Sequence, residues 1–260
     1  MALENRIAVV TGGGQGIGRQ IALRLAQSGA SVVIADINEE GAHQTREMIA
    51  QSSGPEATVV CTDIRGEAQV AEMIEATLAL DGRIDILVNN SGIMGPVKFI
   101  EDIILEEWEE TMAVNMRGMF LCCKHAVPIM KKQGRGCIVN ISSVTGKRAL
   151  TERTPYAASK MGVIGLTRTL AAEVGKWNIR ANSICPGAVT GPRFDKVMEG
   201  VMKFSGKSRE QAMSDRAAAS ALNTFVDPKY VAGLVAFLCS DDAAMITGQD
   251  INVCAGSIMY

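Results

Sequence analysis

Short runs of aliphatic and β-branched residues alternate with longer stretches of helical spacing along most of the chain. The nearly continuous apolar character of these runs is typical of strands that are covered on both faces. Seven runs predict strands, at Ile7–Val10, Ser31–Ala35, Ala57–Cys61, Ile84–Val88, Cys137–Ile141, Ile179–Ile184 and Asp250–Val253. Six stretches predict helices, at Gly16–Ser28, Glu39–Gln51, Ala68–Leu80, Leu105–Lys132, Tyr156–Lys176 and Lys229–Leu238.

The regular alternation of strand and helix indicates right-handed βαβ units. The predicted fold class is therefore α/β, with a Rossmann-type, doubly wound, mostly parallel seven-stranded sheet and helices on both faces. The chain has 260 residues, of which 47% are hydrophobic, and this size is normal for one α/β unit. We expect residues 1–260 to form a single domain.

The segment Thr190–Val226 breaks this alternation, because it is long and contains no clear strand. Apolar residues recur in it at roughly helical spacing, namely Phe194, Met198, Met202, Phe204 and Met213. Long insertions in compact domains often serve as lids or binding loops. We expect a substrate lid at about residues 190–226, and a helical pair that fills an edge of the core is the alternative.

Composition narrows the range of partners. The net charge is −2, which gives no electrostatic footprint for nucleic acid. No run of roughly 18 or more apolar residues predicts a membrane span, and the N-terminal sequence MALENRIAVV lacks the pattern of a signal peptide. The seven cysteines are scattered and the two histidines are far apart. We therefore expect reduced thiols in a cytoplasmic protein that has no metal site and no membrane partner.

A glycine-rich segment follows the first predicted strand and precedes the first predicted helix. It reads Thr11-Gly12-Gly13-Gly14-Gln15-Gly16-Ile17-Gly18. Glycines allow a sharp turn and a close approach of the backbone to a pyrophosphate, and the helix N-terminus presents free N–H groups to the phosphates. A glycine motif alone is unspecific, but here it has the required strand–loop–helix context. The segment predicts dinucleotide binding by Gly12, Gln15, Gly16, Ile17 and Gly18.

Asp36 follows the second predicted strand, 18 residues after Gly18. An acidic residue in this place can accept hydrogen bonds from both ribose hydroxyls of the adenosine, and its charge would repel a 2′-phosphate. None of residues 35, 37 and 38 is basic, so no neighbour offsets that charge. Arg19 follows the glycine loop, but one arginine facing a carboxylate makes a poor phosphate site. The predicted cofactor is therefore NAD rather than NADP.

Further motifs follow the glycine loop along the chain: Asp63, Asn89-Asn90-Ser91-Gly92, Asn115, Ser143, Tyr156-x-x-x-Lys160 and Pro186-Gly187. Any one of them could arise by chance, but together and in this order they are specific. Over nearly its whole length the sequence resembles the short-chain dehydrogenase/reductase family, in its single-domain branch. Ser91 departs from the alanine that the family usually has in the Asn-Asn-x-Gly motif.

Tyr156 and Lys160 are at positions i and i+4, so they share one face of a predicted helix. A free tyrosine ionises at roughly pH 10, which is too high for a base at neutral pH. A nearby ammonium group and the positive nicotinamide of an oxidised cofactor both favour the phenolate. Tyr156 would take the proton of a substrate hydroxyl as hydride leaves the carbon, or return it in the reverse direction. Ser143, just after the strand Cys137–Ile141, would hold the substrate oxygen.

The resemblance implies further roles. Lys160 would also bind the nicotinamide ribose, Asn115 would hold a water in a proton relay, and Asn89 and Asp63 would line the adenosine side. The resemblance also selects Ser143 rather than Ser142 as the catalytic serine. The other cofactor contacts that it implies are Ile64, Gly92, Tyr156, Pro186, Gly187, Val189 and Thr190.

Two further expectations come from the family. The family often has a threonine at the place of Gly191, so the nicotinamide carboxamide contact falls here either to Thr190 or to backbone groups. The family also implies a homodimer or homotetramer, with one interface formed by the helices predicted at Leu105–Lys132 and Tyr156–Lys176.

Basic residues flank the expected substrate pocket. The loop between Ser143 and Tyr156 would form one wall, and the opposite wall would begin near residue 191. Arg148, Arg153 and Arg193 are candidates to receive an anionic substrate group, since an arginine fork suits carboxylates, sulfonates and phosphates. The alternative is that these charges are solvated or contact another subunit.

The predicted function is an oxidoreductase that transfers a hydride between NAD and a secondary alcohol or carbonyl. The mixed polar and apolar lid favours a small polar substrate, such as a sugar, polyol or hydroxy acid. One alternative is an NADPH-dependent carbonyl or 3-oxoacyl-thioester reductase, against which Asp36 argues. Another is a non-catalytic dinucleotide-binding regulator, which should have lost Ser143, Tyr156 or Lys160. A sugar-nucleotide epimerase or dehydratase usually needs a longer C-terminal part.

Overall fold

The computed structural model describes residues 2–52 and 54–260, without the side chains of residues 193, 196, 200, 201, 203 and 204. Within these residues, strands occur at β1 (Ile7–Thr11), β2 (Ser31–Asp36), β3 (Thr58–Cys61), β4 (Ile86–Asn89), β5 (Gly136–Ile141), β6 (Ile179–Pro186) and β7 (Asp250–Val253). Helices occur at α1 (Gly16–Gln27), α2 (Glu39–Gln51), α3 (Glu67–Asp81), α4 (Leu105–Met112), α5 (Gly118–Gln133), α6 (Thr154–Val174), α7 (Pro192–Ser205), α8 (Arg209–Ala218) and α9 (Pro228–Cys239).

The strands form one sheet in the order β3-β2-β1-β4-β5-β6-β7. Every neighbouring pair is parallel, so the sheet is entirely rather than mostly parallel, and the predicted Rossmann-type doubly wound fold is confirmed. The chain winds outward from β1 to β3, returns to place β4 beside β1, and winds outward again to β7. Ligands bind such sheets at the carboxyl ends of the strands where this order reverses.

Each face of the sheet carries its own apolar core. Side chains of α1, α2 and α9 pack on one face, and side chains of α3, α5 and α6 pack on the other. Within β1, Ala8 and Val10 belong to the first core and Val9 belongs to the second. Because both faces are buried, the strand has no polar alternation, which is why it reads as a continuous apolar run.

The stretch predicted as helix over Leu105–Lys132 is helical along its whole length, but it is not one regular α-helix. A π-helical turn at Ala113–Arg117 separates α4 from α5. The Asn115 side chain in this turn accepts a hydrogen bond from the backbone N–H of Ile93 at 2.8 Å and donates one to its carbonyl at 3.0 Å. Apolar periodicity does not reveal a widened turn, because the buried positions continue on both sides of it.

The segment after β6 forms a pair of helices, α7 and α8. Phe194, Met198 and Ala212 make a small apolar cluster between them that is separate from the two main cores. The two ends of the segment lie side by side. The backbone N–H of Val226 donates to the carbonyl of Ala188 at 2.9 Å, and Val226 forms a β-bridge with Val189. The helical-pair alternative is thus correct in its elements, but the pair packs on itself rather than filling an edge of the core.

A chain of buried hydrogen bonds joins the central strands to α6. The Asn89 amide donates to Asn140 Oδ1 at 2.8 Å, and the Asn140 amide donates to Thr167 Oγ1 at 2.8 Å. All three side chains are buried. A buried donor that loses its acceptor retains its full desolvation penalty, so each link depends on the next.

We expect Thr167→Val to lower the free energy of unfolding by about 1–3 kcal/mol, because the buried Asn140 amide would lose its acceptor. Urea unfolding at one protein concentration measures this change. The matched control is Thr77→Val, since the buried Thr77 hydroxyl bonds only to the carbonyl of Met73 within its own helix. Equal losses in the two variants would contradict the proposed chain.

Candidate active site

The glycine loop after β1 is compact because side chains do not fit in it. Gly12 and Gly16 have positive φ angles of 65° and 53°, which favour glycine. A Cβ added to Gly18 would lie 1.9 Å from the carbonyl oxygen of Gly12, so the first turn of α1 packs directly on the loop. The loop therefore offers backbone N–H groups at the N-terminus of α1, as a pyrophosphate requires.

Residues after β4 hold this loop in place. The Asn90 amide donates to the carbonyls of Thr11 and Gly12, both at 3.0 Å. In return, Thr11 Oγ1 accepts from the backbone N–H groups of Asn90 and Ser91 at 3.0 and 3.1 Å. The sequence analysis named the Asn-Asn-Ser-Gly motif but missed this role of Asn90, which joins the two loops at the point where the strand order reverses.

Asp36 lies at the end of β2, beside the glycine loop. Its carboxylate is buried and accepts from the backbone N–H groups of Gly14 at 2.8 Å and Asn38 at 2.9 Å. The next residue, Ile37, is an exposed apolar side chain that the sequence analysis did not single out. The carboxylate is thus fixed at the mouth of the predicted adenosine site.

Arg19 forms several hydrogen bonds within the protein. Its guanidinium donates to the carbonyls of Gly14 and Gly41 and to the side chains of Gln44 and Thr45. These contacts tie α1 to the start of α2, and they use the Nε and Nη2 donors of the guanidinium.

Asp63 and Ile64 follow β3 on the same edge of the sheet. The Asp63 carboxylate pairs with Arg65, with a shortest N–O distance of 2.6 Å, and this hydrogen bond lowers the pKa of Asp63 below its usual range. Arg65 also reaches Glu110 at 2.7 Å. Ile64 is buried against Gly118, where an added Cβ would lie 2.5 Å from the isoleucine side chain. Any adenosine contact of Asp63 thus involves a carboxylate that is already ion-paired.

The two serines after β5 have different surroundings. The Ser142 hydroxyl donates to the carbonyl of Lys160 at 2.8 Å and so fixes β5 to α6. The Ser143 hydroxyl instead accepts from the backbone N–H of Thr145 at 3.1 Å in the loop that leads to α6. Because Ser142 serves as a structural link, this difference agrees with the choice of Ser143 as the candidate catalytic serine.

Tyr156 and Lys160 lie on one face of α6, as predicted from their spacing. The Lys160 ammonium is 5.8 Å from the centroid of the Tyr156 ring. It is buried, and it donates to the carbonyl of Ile141 at the end of β5 at 2.9 Å. The cation is thereby held at a fixed position next to the phenol rather than on a free surface chain.

Gly92 and Asn115 border the Lys160 ammonium. A Cβ added to Gly92 would lie 3.4 Å from Lys160 Nζ and 3.2 Å from Asn115 Oδ1. The Asn115 amide also donates to Ser159 Oγ at 3.0 Å, and Ser159 Oγ donates to the carbonyl of Tyr156 at 2.8 Å. Buried hydrogen bonds therefore link the π-helical turn to the helix that carries the candidate catalytic pair.

The remaining predicted cofactor residues are found at two places. Asn89 faces the interior in the buried amide chain, which gives its side chain a structural position. The others lie at the end of β6, where Pro186 pairs with Val253 and an added Cβ on Gly187 would meet the Cα of Cys254 at 2.9 Å. Thr190 donates its backbone N–H to the carbonyl of Val226 at 3.0 Å. The carboxamide contact predicted for Thr190 is untested.

Two of the three predicted substrate arginines lie in the loop before α6. Arg148 is exposed, and Arg153 directly precedes α6 one turn before Tyr156. Burial lowers the pKa of Arg153, and the neighbouring Tyr156 and Glu152 oppose this effect. The side chain of Arg193 lies outside the described residues. Burial, followed by the charges of Arg148 and Arg153, lowers the pKa of Arg216 in α8, a residue that the sequence analysis did not single out.

The described part of the chain contains neither a metal-binding cluster nor a helix suited to span a membrane. No group of three or more histidine, cysteine, aspartate or glutamate side chains in residues 2–52 and 54–260 is arranged to hold a metal ion. None of the helices described combines the length and hydrophobicity that crossing a bilayer requires. All seven cysteines are unpaired within the described residues, and all except Cys61 are buried.

A family model described as enoyl-(acyl carrier protein) reductase matches residues 12–257. The chain belongs to the short-chain dehydrogenase/reductase family. A levodione reductase of Leifsonia aquatica is 35% identical over 97% of this chain and 94% of its own length. A 3-oxoacyl-[acyl-carrier-protein] reductase of Thermotoga maritima is 36% identical over 100% of both chains. The oxidoreductase class inferred from the motifs is therefore confirmed.

Solved structures of the family share the fold along their whole length. A levodione reductase has a TM-score of 0.93 with 33% identity, covering 99% of this chain and 100% of that one. A xylitol dehydrogenase with bound NAD⁺ has a TM-score of 0.93 with 26% identity, covering 98% and 100%. A polyketide ketoreductase with NADPH has a TM-score of 0.94 with 33% identity, covering 98% of both chains. Both nicotinamide dinucleotides thus occur among these neighbours.

We expect Gly18→Ala to abolish NADH binding and to lower the melting temperature, because its methyl group would overlap the Gly12 carbonyl and displace the loop. Fluorescence titration with NADH and thermal unfolding measure the two effects. The control is Gly165→Ala in α6, where an added Cβ meets no atom within 4 Å. Normal NADH binding by Gly18→Ala would show that the loop is not the cofactor site.

Proposed function

We propose that the protein is an NAD-dependent dehydrogenase that oxidises a secondary hydroxyl of a small polar substrate. The observation that carries this proposal is the position of Ser143, Tyr156 and a buried Lys160 at the same sheet edge as the glycine loop. Hydride transfer needs the substrate carbon and the nicotinamide at one place, and this edge supplies both a phosphate-binding loop and a proton-transfer group.

The preference for NAD rests on two neighbouring groups. Asp36 places a fixed negative charge where the adenosine ribose is expected, and this charge attracts ribose hydroxyls and repels a 2′-phosphate. Arg19 could offset the charge, but its guanidinium already donates to carbonyls and side chains of the protein. These contacts hold the guanidinium against the start of α2, so the buried Asp36 charge remains the group that decides between the two cofactors.

The cofactor supplies a hydride acceptor, and the remaining chemistry falls to side chains. Tyr156 Oη removes the proton of the substrate hydroxyl as the hydride leaves the carbon that bears this hydroxyl. The Lys160 ammonium stabilises the phenolate electrostatically, and its position is fixed by the carbonyl of Ile141. Ser143 Oγ donates a hydrogen bond to the substrate oxygen and so orients it toward Tyr156.

The segment 190–226 is proposed as the lid over the substrate. It starts and ends at the carboxyl end of β6, beside the predicted nicotinamide contacts Pro186, Gly187 and Val189. Its two helices share a small apolar cluster that is separate from the two main cores, and we expect them to move together. Closing such a unit would exclude water from the reacting carbon.

An NADPH-dependent ketoreductase is the second candidate, because the Thermotoga maritima relative is named a 3-oxoacyl-[acyl-carrier-protein] reductase. The contacts of Asp36 and Arg19 favour the NAD-dependent dehydrogenase over this candidate.

A homo-oligomer is also proposed, since Phe120 of α5 and Met161 of α6 are large exposed apolar residues on the two helices expected at one interface.

We expect the wild-type protein to prefer NAD to NADP, and Asp36→Asn to reduce this preference at least tenfold. The asparagine keeps one of the two acceptor oxygens, which can still receive the Gly14 N–H, but it removes the charge that repels the 2′-phosphate. The ratio of kcat/KM for the two cofactors measures the change. Glu40→Ala, which removes an exposed charge from α2, should leave the ratio unchanged. A wild-type preference for NADP would favour the ketoreductase reading.

We expect Tyr156→Phe to lower kcat by about 10²–10⁴-fold without weakening NADH binding, because only the proton-transfer group is removed. Steady-state NADH formation and NADH fluorescence measure these two properties. Tyr230→Phe on α9, whose ring is exposed, is the control and should be fully active. If the Tyr156→Phe variant kept its biological role without turnover, the protein would instead be a dinucleotide-binding regulator.

A further inference from the structure

Lys147 joins the turn after Ser143 to a distant part of the chain. It directly follows the short helical turn Val144–Gly146, which begins after Ser143. The Lys147 ammonium donates to the carbonyl of Asp250 at 2.8 Å and to the main-chain oxygen of Tyr260 at 3.1 Å, and it pairs with the Asp250 carboxylate at 2.7 Å. A lysine has three N–H donors, so these contacts use all of them.

The ion pair is sheltered from solvent. The side chains of Lys147 and Asp250 are only 8% and 14% exposed, whereas those of the surface pair Lys229 and Asp227 are 61% and 45% exposed. Burial raises the pKa of Asp250, but hydrogen bonds from Lys147 and Arg168 outweigh this effect and hold that pKa below its usual range. Because charges attract more strongly where protein replaces water, the Lys147 contact is a firmer link than a surface pair.

Residues 254–260, which follow β7, pack on the same turn through apolar side chains. Val144, Cys254 and Ile258 form a small buried cluster of their own. The segment folds back on β7, since the Asn252 amide donates to the carbonyls of Ile258 at 3.4 Å and Tyr260 at 3.1 Å. Polar and apolar contacts thus hold the segment 254–260 against the turn.

The turn itself fixes the Ser143 hydroxyl. The Thr145 N–H donates to Ser143 Oγ at 3.1 Å, and the Gly146 N–H donates to the Ser143 carbonyl at 2.9 Å. A Cβ added to Gly146 would lie 2.7 Å from the carbonyl carbon and oxygen of Lys160, so the turn also presses on α6. The serine is therefore oriented by a turn that contacts both α6 and the segment 254–260.

The segment 254–260 also touches the cofactor side and the lid. A Cβ added to Gly187 would lie 2.9 Å from the Cα of Cys254. The carbonyl of Ala255 accepts from the backbone N–H of Leu222, near the end of the lid segment, at 3.0 Å. One short stretch of chain thus supports the serine turn, the predicted nicotinamide contact and the base of the lid.

We propose that Lys147 is a positioning residue that, with the segment 254–260, holds Ser143 in the orientation that receives the substrate oxygen. This inference rests on the proposed dehydrogenase function and adds a residue to its site. All three donors of Lys147 are used within the protein, so it acts through Ser143 and not on the substrate directly. Loss of the ammonium would free the turn, and a misplaced hydroxyl stabilises the transition state less well.

Lys147→Met tests this role, because it removes the ammonium and keeps a long side chain. The probe is whichever of xylitol, 1,2-propanediol and lactate the wild type oxidises fastest with NAD. We expect kcat to fall at least fivefold, while the Kd for NADH changes less than threefold, because the contacts of the glycine loop are unaltered. Lys147→Arg restores a cation and should recover part of kcat. Lys229→Met, which breaks the exposed pair with Asp227, is the control and should keep wild-type kcat.

A double-mutant cycle separates positioning from a general loss of stability. In the Ser143→Ala background the hydroxyl that Lys147 positions is absent, so Lys147→Met should lower the rate less than twofold further. Single-turnover NADH formation keeps these low rates measurable. An equal fold loss in both backgrounds would overturn the proposal. A lower melting temperature of Lys147→Met with wild-type kcat would show that the ion pair serves stability alone.

A second variant approaches the turn from the apolar side. Ile258→Ala removes the contact with Val144 and leaves the Lys147–Asp250 pair in place. It should lower kcat in the same Ser143-dependent way, so the proposal stays testable if Lys147→Met does not fold. Amide hydrogen exchange of residues 144–147 should be faster in Lys147→Met and Ile258→Ala but unchanged in Lys229→Met.

The two proposals fail in different ways. If the wild type and Lys147→Met oxidise the probe alcohol equally well, the dehydrogenase stands and the positioning role is wrong. If the wild type binds NADH but oxidises none of the three alcohols, the proposed function fails. Hydrogen exchange of residues 144–147 then decides whether Lys147 holds the turn, and unchanged exchange in Lys147→Met would show that it does not.

Discussion

The hydrogen bonds between the ends of β1 and β4 are the constraint on which the site depends. Asn90 donates to two carbonyls at the start of the glycine loop, while Thr11 Oγ1 accepts from two backbone N–H groups of the opposing loop. These bonds hold two chain segments together where the strand order reverses. These bonds join the two sides of the crevice that the reversal leaves, so the glycine loop is not free to shift independently of the loop that carries Gly92.

A second set of contacts transmits this order to the reacting side. Gly92 borders Lys160 and Asn115, and Asn115 reaches the carbonyl of Tyr156 through Ser159. Ser142 fixes the same helix to β5. The candidate base is therefore positioned by buried polar groups of several elements. A buried polar group without a hydrogen-bond partner costs more free energy than a paired one contributes. These groups therefore favour a single arrangement of the site.

The sequence predicted the seven strands and the doubly wound sheet because strands buried on both faces leave an unmistakable apolar run. It also predicted the Tyr156–Lys160 pair, because an i, i+4 spacing already defines a shared face. The π-helical turn at Asn115 was not predicted, since its polar contact is with Ile93, 22 positions away, and the apolar pattern continues on both sides of it.

The lid segment leaves the sheet at Val189 and returns beside it at Val226. Its two ends are therefore already adjacent, and the cost of closing such a loop grows only slowly with its length. Residues can be inserted, deleted or exchanged between these two points without altering the register of β6 or β7. The residues proposed for catalysis and the segment proposed to cover the substrate thus lie in separate parts of the chain. A related protein could acquire a new substrate by changes in this one segment.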